Sequence, residues 1–132
     1  MTVQFRTQQE VKGINDFGQQ FSDQIYNATL VAATDTTLTV PGGGLMGNIT
    51  SGDGTRTRNK MMAVIRVTGN VWVAVNAVAD VPAGGTFAKD TSELVTNVLD
   101  KAYLVNVGDV LHFFAPAGTT PGVSVAFYAM PS

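Results

Sequence analysis

The sequence predicts an all-β protein: an antiparallel β-sandwich of jelly-roll type, with about eight short strands and an extended N-terminal segment. Three observations lead there. Short runs rich in Val, Thr, Ile and aromatic residues recur along the chain, separated by turn residues such as Gly69-Asn70, Pro82-Ala83-Gly84-Gly85 and Gly108-Asp109. The last run alternates, with Val123, Val125, Phe127 and Ala129 on one face and Ser124, Ala126, Tyr128 and Met130 on the other. At 132 residues the chain matches a single domain, which buries roughly two-thirds of its unfolded surface without covalent staples. The recurrence of many short strands at turn-marked intervals is what separates a sandwich or jelly roll from a helical or mixed fold.

The stretch Lys60 to Ala79, KMMAVIRVTGNVWVAVNAVA, reads as two strands reversing at Gly69-Asn70. Gly-Asn between β-branched runs signals a two-residue hairpin, whose type I′ or II′ turn needs positive φ at its centre. That register sets Thr68 against Val71, Val67 against Trp72, Ile65 against Ala74 and Val64 against Val75. Both faces of such a hairpin are largely apolar, so it asks for cover on two sides. Arg66 is the charge that interrupts one of them.

Upstream, residues 1–27 form an N-terminal arm or strand and residues 28–132 the sandwich domain. The arm mixes six glutamines with Val3, Phe5, Val11, Ile14, Phe17, Phe21 and Ile25. Phe17, Phe21 and Ile25 share helical spacing, but Gly13 and Gly18 weaken a helix there. From Ala28, ATLVAA and TTLTV surround a turn at Thr34-Asp35-Thr36, predicting a second hairpin. Residues 41–59, PGGGLMGNITSGDGTRTRN, read as a glycine-rich loop between strands. Residues 86–102 are ambiguous: Leu94, Val95, Val98 and Leu99 fit a helix that Asp90 and Glu93 would cap, yet the β-rich surroundings favour short strands. Tyr103–Val107 and Val110–Ala115 flank Gly108-Asp109 as a further tight turn, and Pro116–Gly122 is a loop.

Composition excludes more than it assigns. With no cysteine the chain holds no disulfide, zinc-thiolate site or thiol nucleophile, and one histidine, His112, makes no histidine cage. A net charge of −2, with 14% charged residues against the usual quarter, supplies no basic excess for nucleic acid. No apolar run reaches bilayer length, and the first residues lack a signal-peptide core. Gly42-Gly43-Gly44 lacks the Gly-Lys-Ser/Thr continuation of a phosphate loop, and Asp53 has no second carboxylate nearby for calcium. His112 sits on a strand with no nucleophile beside it in sequence, and is expected to be partly buried. Trp72 is expected to pack within the sheet and not to serve as an exposed sugar platform. No cofactor or catalytic group is expected. Arg56, Arg58 and Lys60 place three cations within five residues, on a solvated loop edge or facing an acidic partner.

From Arg66 to Tyr128, the order RVTGNVWVAVN, ADVPAGG, AYLVNVGDVLHFFAPAG and GVSVAFYAM resembles small virion structural proteins of tailed bacteriophages. The shared features are a strand-turn-strand, a Pro-Ala-Gly loop, a V-x-x-GD-x-L-x-F step and a terminal strand. The resemblance covers about the C-terminal half. It implies a β-sandwich or jelly roll that decorates or cements capsids, often as a trimer over junctions between major capsid subunits. A capsid-surface location in the virion, assembly in the host cytoplasm, and the major capsid protein as partner are implied with it. On that reading the partner contacts are Phe5, Phe17 and Phe21 of the arm with Arg56 and Arg58 of the loop. A receptor- or glycan-binding module of a tail or fibre is the alternative. An enzyme is the least favoured reading, because jelly-roll metal chemistry needs clustered histidines and carboxylates.

Overall fold

A computed structural model describes residues 22–43, 48–51, 54–57 and 59–130. Among the described residues ten strands follow one another: β1 (Ile25–Thr29), β2 (Asp35–Thr39), β3 (Asn48–Ser51), β4 (Gly54–Thr57), β5 (Lys60–Val67), β6 (Val71–Val75), β7 (Glu93–Val95), β8 (Lys101–Asn106), β9 (Val110–Phe114) and β10 (Gly122–Ala129). Eight of them build two antiparallel four-stranded sheets, ordered β1-β10-β5-β8 (sheet I) and β2-β9-β6-β7 (sheet II), while β3 and β4 pair as a separate ribbon. The pairings are nested: β1 with β10, β2 with β9, β5 with β8 and β6 with β7. The chain is therefore one long two-stranded ribbon rolled up so that alternate pairs fall in opposite sheets, the jelly-roll order.

The core lies between the sheets. Met61, Ala63 and Ile65 of β5, Val123, Val125 and Phe127 of β10, Val71 and Val73 of β6, and Leu111 and Phe113 of β9 form one buried cluster. Each set is spaced by two, as a strand with one inward face requires. Leu30 and Val40, just past β1 and β2, cap it.

Gly69-Asn70 does not make the hairpin expected of it. Neither residue adopts positive φ, and β5 and β6 lie in different sheets. The reason is saturation: one edge of β5 pairs with β10 and the other with β8, so no edge remains for β6. Thr68 is still held to β10, its N–H donating to Gly122 O at 3.0 Å and its hydroxyl accepting from Gly122 N at 2.8 Å. Only then does the chain cross. Odd residues of β5 and odd residues of β6 thus face each other across the core, where a two-residue hairpin would set odd against even on one face. The hairpin expected around residues 34–36 does not form either, since β1 and β2 sit in opposite sheets and Asp35 and Thr36 lie in β2. The tight turn at Gly108-Asp109 is present, with Gly108 at φ 94° and Asp109 N–H donating to Asn106 O at 3.0 Å, and it joins β8 and β9 of opposite sheets. The glycine-rich 41–59 stretch is likewise not a plain loop, because it carries β3 and β4. Residues 86–102 hold β7 and the start of β8 with no helix, as the β-rich context favours.

One open side of the sandwich, where β7 and β8 are edge strands, is clasped by Glu93. Its carboxylate accepts from Tyr103 Oη at 2.7 Å and meets Lys101 Nζ at 2.7 Å. The hydrogen bonds from Lys101 and Tyr103 hold the Glu93 carboxyl below its ordinary value. Burial, reinforced by the bond to Glu93, pushes the Tyr103 phenol well above its own.

Two outcomes follow for stability. Phe127→Ala, which empties the middle of the core, should cost about 3–5 kcal/mol in urea denaturation. Glu93 is more acidic folded than unfolded, so its contribution is complete above the ordinary value of 4.5 and lost as pH falls through the lower folded value. Tyr103→Phe should reduce that acid-side loss, read as a shallower decline of Tm below pH 4.5 than in the parent.

Candidate binding surface

The two outer faces of the sandwich differ in what covers them. On sheet II, β6, β9 and β2 direct Trp72, Ala74, His112, Phe114 and Asp35 outward, in rows fixed by the register. The chain leaving β6 crosses this face. Asn76, in the left-handed region at φ 58°, is pinned to the start of β9: its N–H donates to Val110 O at 2.7 Å and its Oδ1 accepts from Val110 N at 2.8 Å. Three residues on, Ala79 is fully buried and donates its N–H to Asp35 Oδ1 at 3.1 Å, on the far strand β2. The crossing also explains why Ala74, an outward residue, is 2% exposed.

Beneath it lies a pair that sequence spacing does not show. His112 Nδ1 is 2.8 Å from Asp35 Oδ2, with both side chains mostly buried. The contact orients the imidazole by its Nδ1 edge on the Asp35 carboxyl. With Ala79 N on the other oxygen, Asp35 is a bracket joining β2, β9 and the crossing chain. Residues 35 and 112 are far apart in sequence and meet only because β2 pairs with β9; no local signal could have joined them. Trp72 is half-buried between Phe114 and Leu94, not opposite Val67. Its expected place within a sheet holds, although its partners come from β9 and β7. Among the described residues no cluster of three or more His, Cys, Asp or Glu side chains is placed to hold a metal.

The outer face of sheet I has no such crossing among the described residues. Its register sets Ile25, Ala126, Val64 and Ala102 in one row, of which Ala126 and Val64 are buried, and Tyr128, Met62 and Leu104 in the next. Leu104 is 65% exposed and Ile25 is partly exposed. Towards the other end the face turns polar. Asn27, Ser124 and Arg66 stand in register across three strands, and with Thr29, Thr68 and Gly122 they line a shallow groove. Arg66 Nε donates to Asp100 Oδ2 at 2.8 Å, tying the β7–β8 connection to this row. That connection displays Val98 and Leu99, 80% and 76% exposed. At the tip of the long β6–β7 connection, Phe87 is fully exposed.

Of the residues the sequence singles out as contacts, Phe5, Phe17, Phe21 and Arg58 lie outside the described residues. Arg56 is placed by its backbone, in β4 opposite Ile49. Arg66 is rim-exposed and paired, as a charge on a strand face near a turn should be. Exposure of Phe87, Leu104 and Leu99 was not legible, because an apolar residue in an apolar, ambiguous stretch reads as core. No family model, curated protein or solved structure matches the chain.

The Asp35 bracket carries a prediction. Asp35→Ala removes acceptors from both His112 and Ala79 N and leaves partly buried donors unmet, at a cost of about 1–3 kcal/mol. Hydrogen exchange should show the Ala79 amide losing protection, with amides inside β10 unchanged relative to global stability.

Proposed function

We propose that this chain is a non-enzymatic structural protein of a bacteriophage virion, which binds the outside of the capsid and stabilises it as a decoration or cement protein in symmetric oligomers. The observation that carries this reading is the asymmetry of the sandwich. Sheet II keeps its outer face under its own chain, while sheet I exposes Leu104, Ala102 and Ile25 around half-buried Met62 and Tyr128 and buried Val64 and Ala126. An apolar strip bordered by polar residues is the form of a protein-binding surface. The order of segments from Arg66 to Tyr128, similar to small tailed-phage virion proteins, supports the class of partner: the major capsid protein. The mechanism is passive. Each contact is weak, and repetition over a symmetric shell raises the barrier to its disruption through avidity. The exposed Phe87 is a further anchor, of the aromatic type that dominates binding energy when a partner encloses it.

A second reading has its own observation. The groove lined by Asn27, Ser124, Arg66, Thr29 and Thr68 offers amide, hydroxyl and guanidinium groups in one row, the donors and acceptors a glycan would meet. It favours a receptor- or glycan-binding module of a tail or fibre.

Mixing the protein with undecorated capsids of its own phage tests the first reading by co-sedimentation. Binding is expected, and none at high protein concentration would overturn it. Leu104→Glu should weaken binding while changing stability by no more than about 0.5 kcal/mol, the usual limit for exposed positions. Glycan-array binding that Arg66→Ala abolishes, with no capsid binding, would establish the second reading instead.

A further inference from the structure

We propose that β1 is a self-complementary edge through which two copies of this chain pair, antiparallel about a two-fold axis at Asn27, joining their sheets I into one. Among the described residues β1 is the terminal strand of sheet I, and all five of its residues are exposed. The direction of its backbone groups follows from the bonds on either side. Phe127 N donates to Gln24 O at 3.0 Å, and Leu30 N to Pro121 O at 2.9 Å. Hydrogen-bonded pairs alternate along an antiparallel ladder, so residues 24, 26, 28 and 30 bond to β10. Ile25, Asn27 and Thr29 then turn their N–H and C=O groups to the open edge.

These three positions are symmetric about Asn27. A second β1 laid antiparallel with Asn27 against Asn27 sets Ile25 against Thr29 and Thr29 against Ile25. Every one of those pairs is of the hydrogen-bonding kind on both strands, so all the open groups are satisfied without shifting register. On one face Ile25 meets Thr29, and on the other Tyr26 meets Ala28. No charge opposes itself.

The other edges are each blunted in part and β1 is not. β7 is three residues long. In β8 the open groups of Asn106 are taken by Asp109, whose Oδ2 accepts from Asn106 N at 2.9 Å and whose N–H donates to Asn106 O at 3.0 Å. β2 begins on the charged Asp35 and offers threonines at its remaining open positions. β1, IYNAT, has no charge and no proline, the features that keep natural edges from pairing. A five-residue strand pair falls short of the ~1,200 Å² of a standard interface, so association is concentration-dependent and gains from repetition. The contact is isologous and closes at two copies. It rests on the edge geometry and stands apart from the shell-binding reading: a chain that dimerises through β1 and ignores capsids keeps one and loses the other.

Sedimentation velocity on the full chain, over a concentration series into the high micromolar range, should show mass rising towards twice the monomer. In parallel, the amides of Ile25, Asn27 and Thr29 should gain protection from exchange with concentration, while those of Tyr26 and Ala28 are protected throughout. Asn27→Lys places like charges opposite each other on the axis. Asn27→Pro removes the open N–H alone, a substitution an edge strand tolerates. Each should weaken association by about tenfold or more, the scale of one lost central pair, at unchanged Tm. Thr37→Lys, on the β2 edge, should leave association intact. A monomer at every concentration, dimerisation that both Asn27 variants keep, or dimerisation that Thr37→Lys abolishes would each overturn the proposal.

Discussion

Every edge of β5 and β6 is occupied, and the architecture depends on that saturation. β5 is held by β10 on one side and β8 on the other, and β6 by β9 and β7. Two strands adjacent in sequence, each with both ladders filled by others, cannot pair with each other, and β5 and β6 sit in different sheets. The connection between them becomes a crossing over the core. β1 and β2, and β8 and β9, likewise sit in opposite sheets although β1, β2 and β8 are edge strands, so the chain alternates sheets and rolls. Its buried residues, from Ile65 and Phe127 to Leu111, interdigitate because the crossings carry inward faces to opposite sides of one cluster.

Rolling also decides what each face does. The β6–β7 connection is the tip of the rolled ribbon, and it folds back over sheet II, where Asp35 receives it together with His112. That face is thereby closed by the chain itself. At the side where β7 and β8 end the sheets, Glu93 joins them through Tyr103 and Lys101. On the outer face of sheet I, Leu104, Ala102 and Ile25 are exposed around buried Val64 and Ala126, and the β1 edge is unpaired among the described residues. Face and edge lie side by side, so a partner on the face and a second copy at the edge would extend one continuous sheet surface.

Much of the fold was legible in the residues. The alternation in Val123 to Met130 marks β10 and its inward face, and the β-branched runs mark β5, β6, β8 and β9 where they occur. The strand reading of residues 93–95 also stands, since Val95 is buried in a sheet and no helix forms. Turn chemistry located the reversals at Gly69-Asn70 and Gly108-Asp109 but not their meaning. Gly69-Asn70 bends the chain equally well within a sheet or between two, and its φ values belong to the second case. The surface was less legible. Phe87, Leu99 and Leu104 have the composition of core residues, and exposure depends on what lies over them. The His112–Asp35 contact needed the β2–β9 register.

The sequence by itself determined that the protein is all-β, where most strands outside residues 41–59 lie, which side chains of the last strand share a face, and which metal and thiol chemistries it lacks the residues for. A period of two specifies a face and is read along a single strand. Only the tertiary structure decided which strands are neighbours, which sheet each joins and which outer face stays open. Hydrogen-bond partners in a sheet come from any distance along the chain, and the backbone groups that choose them are the same in every residue but proline.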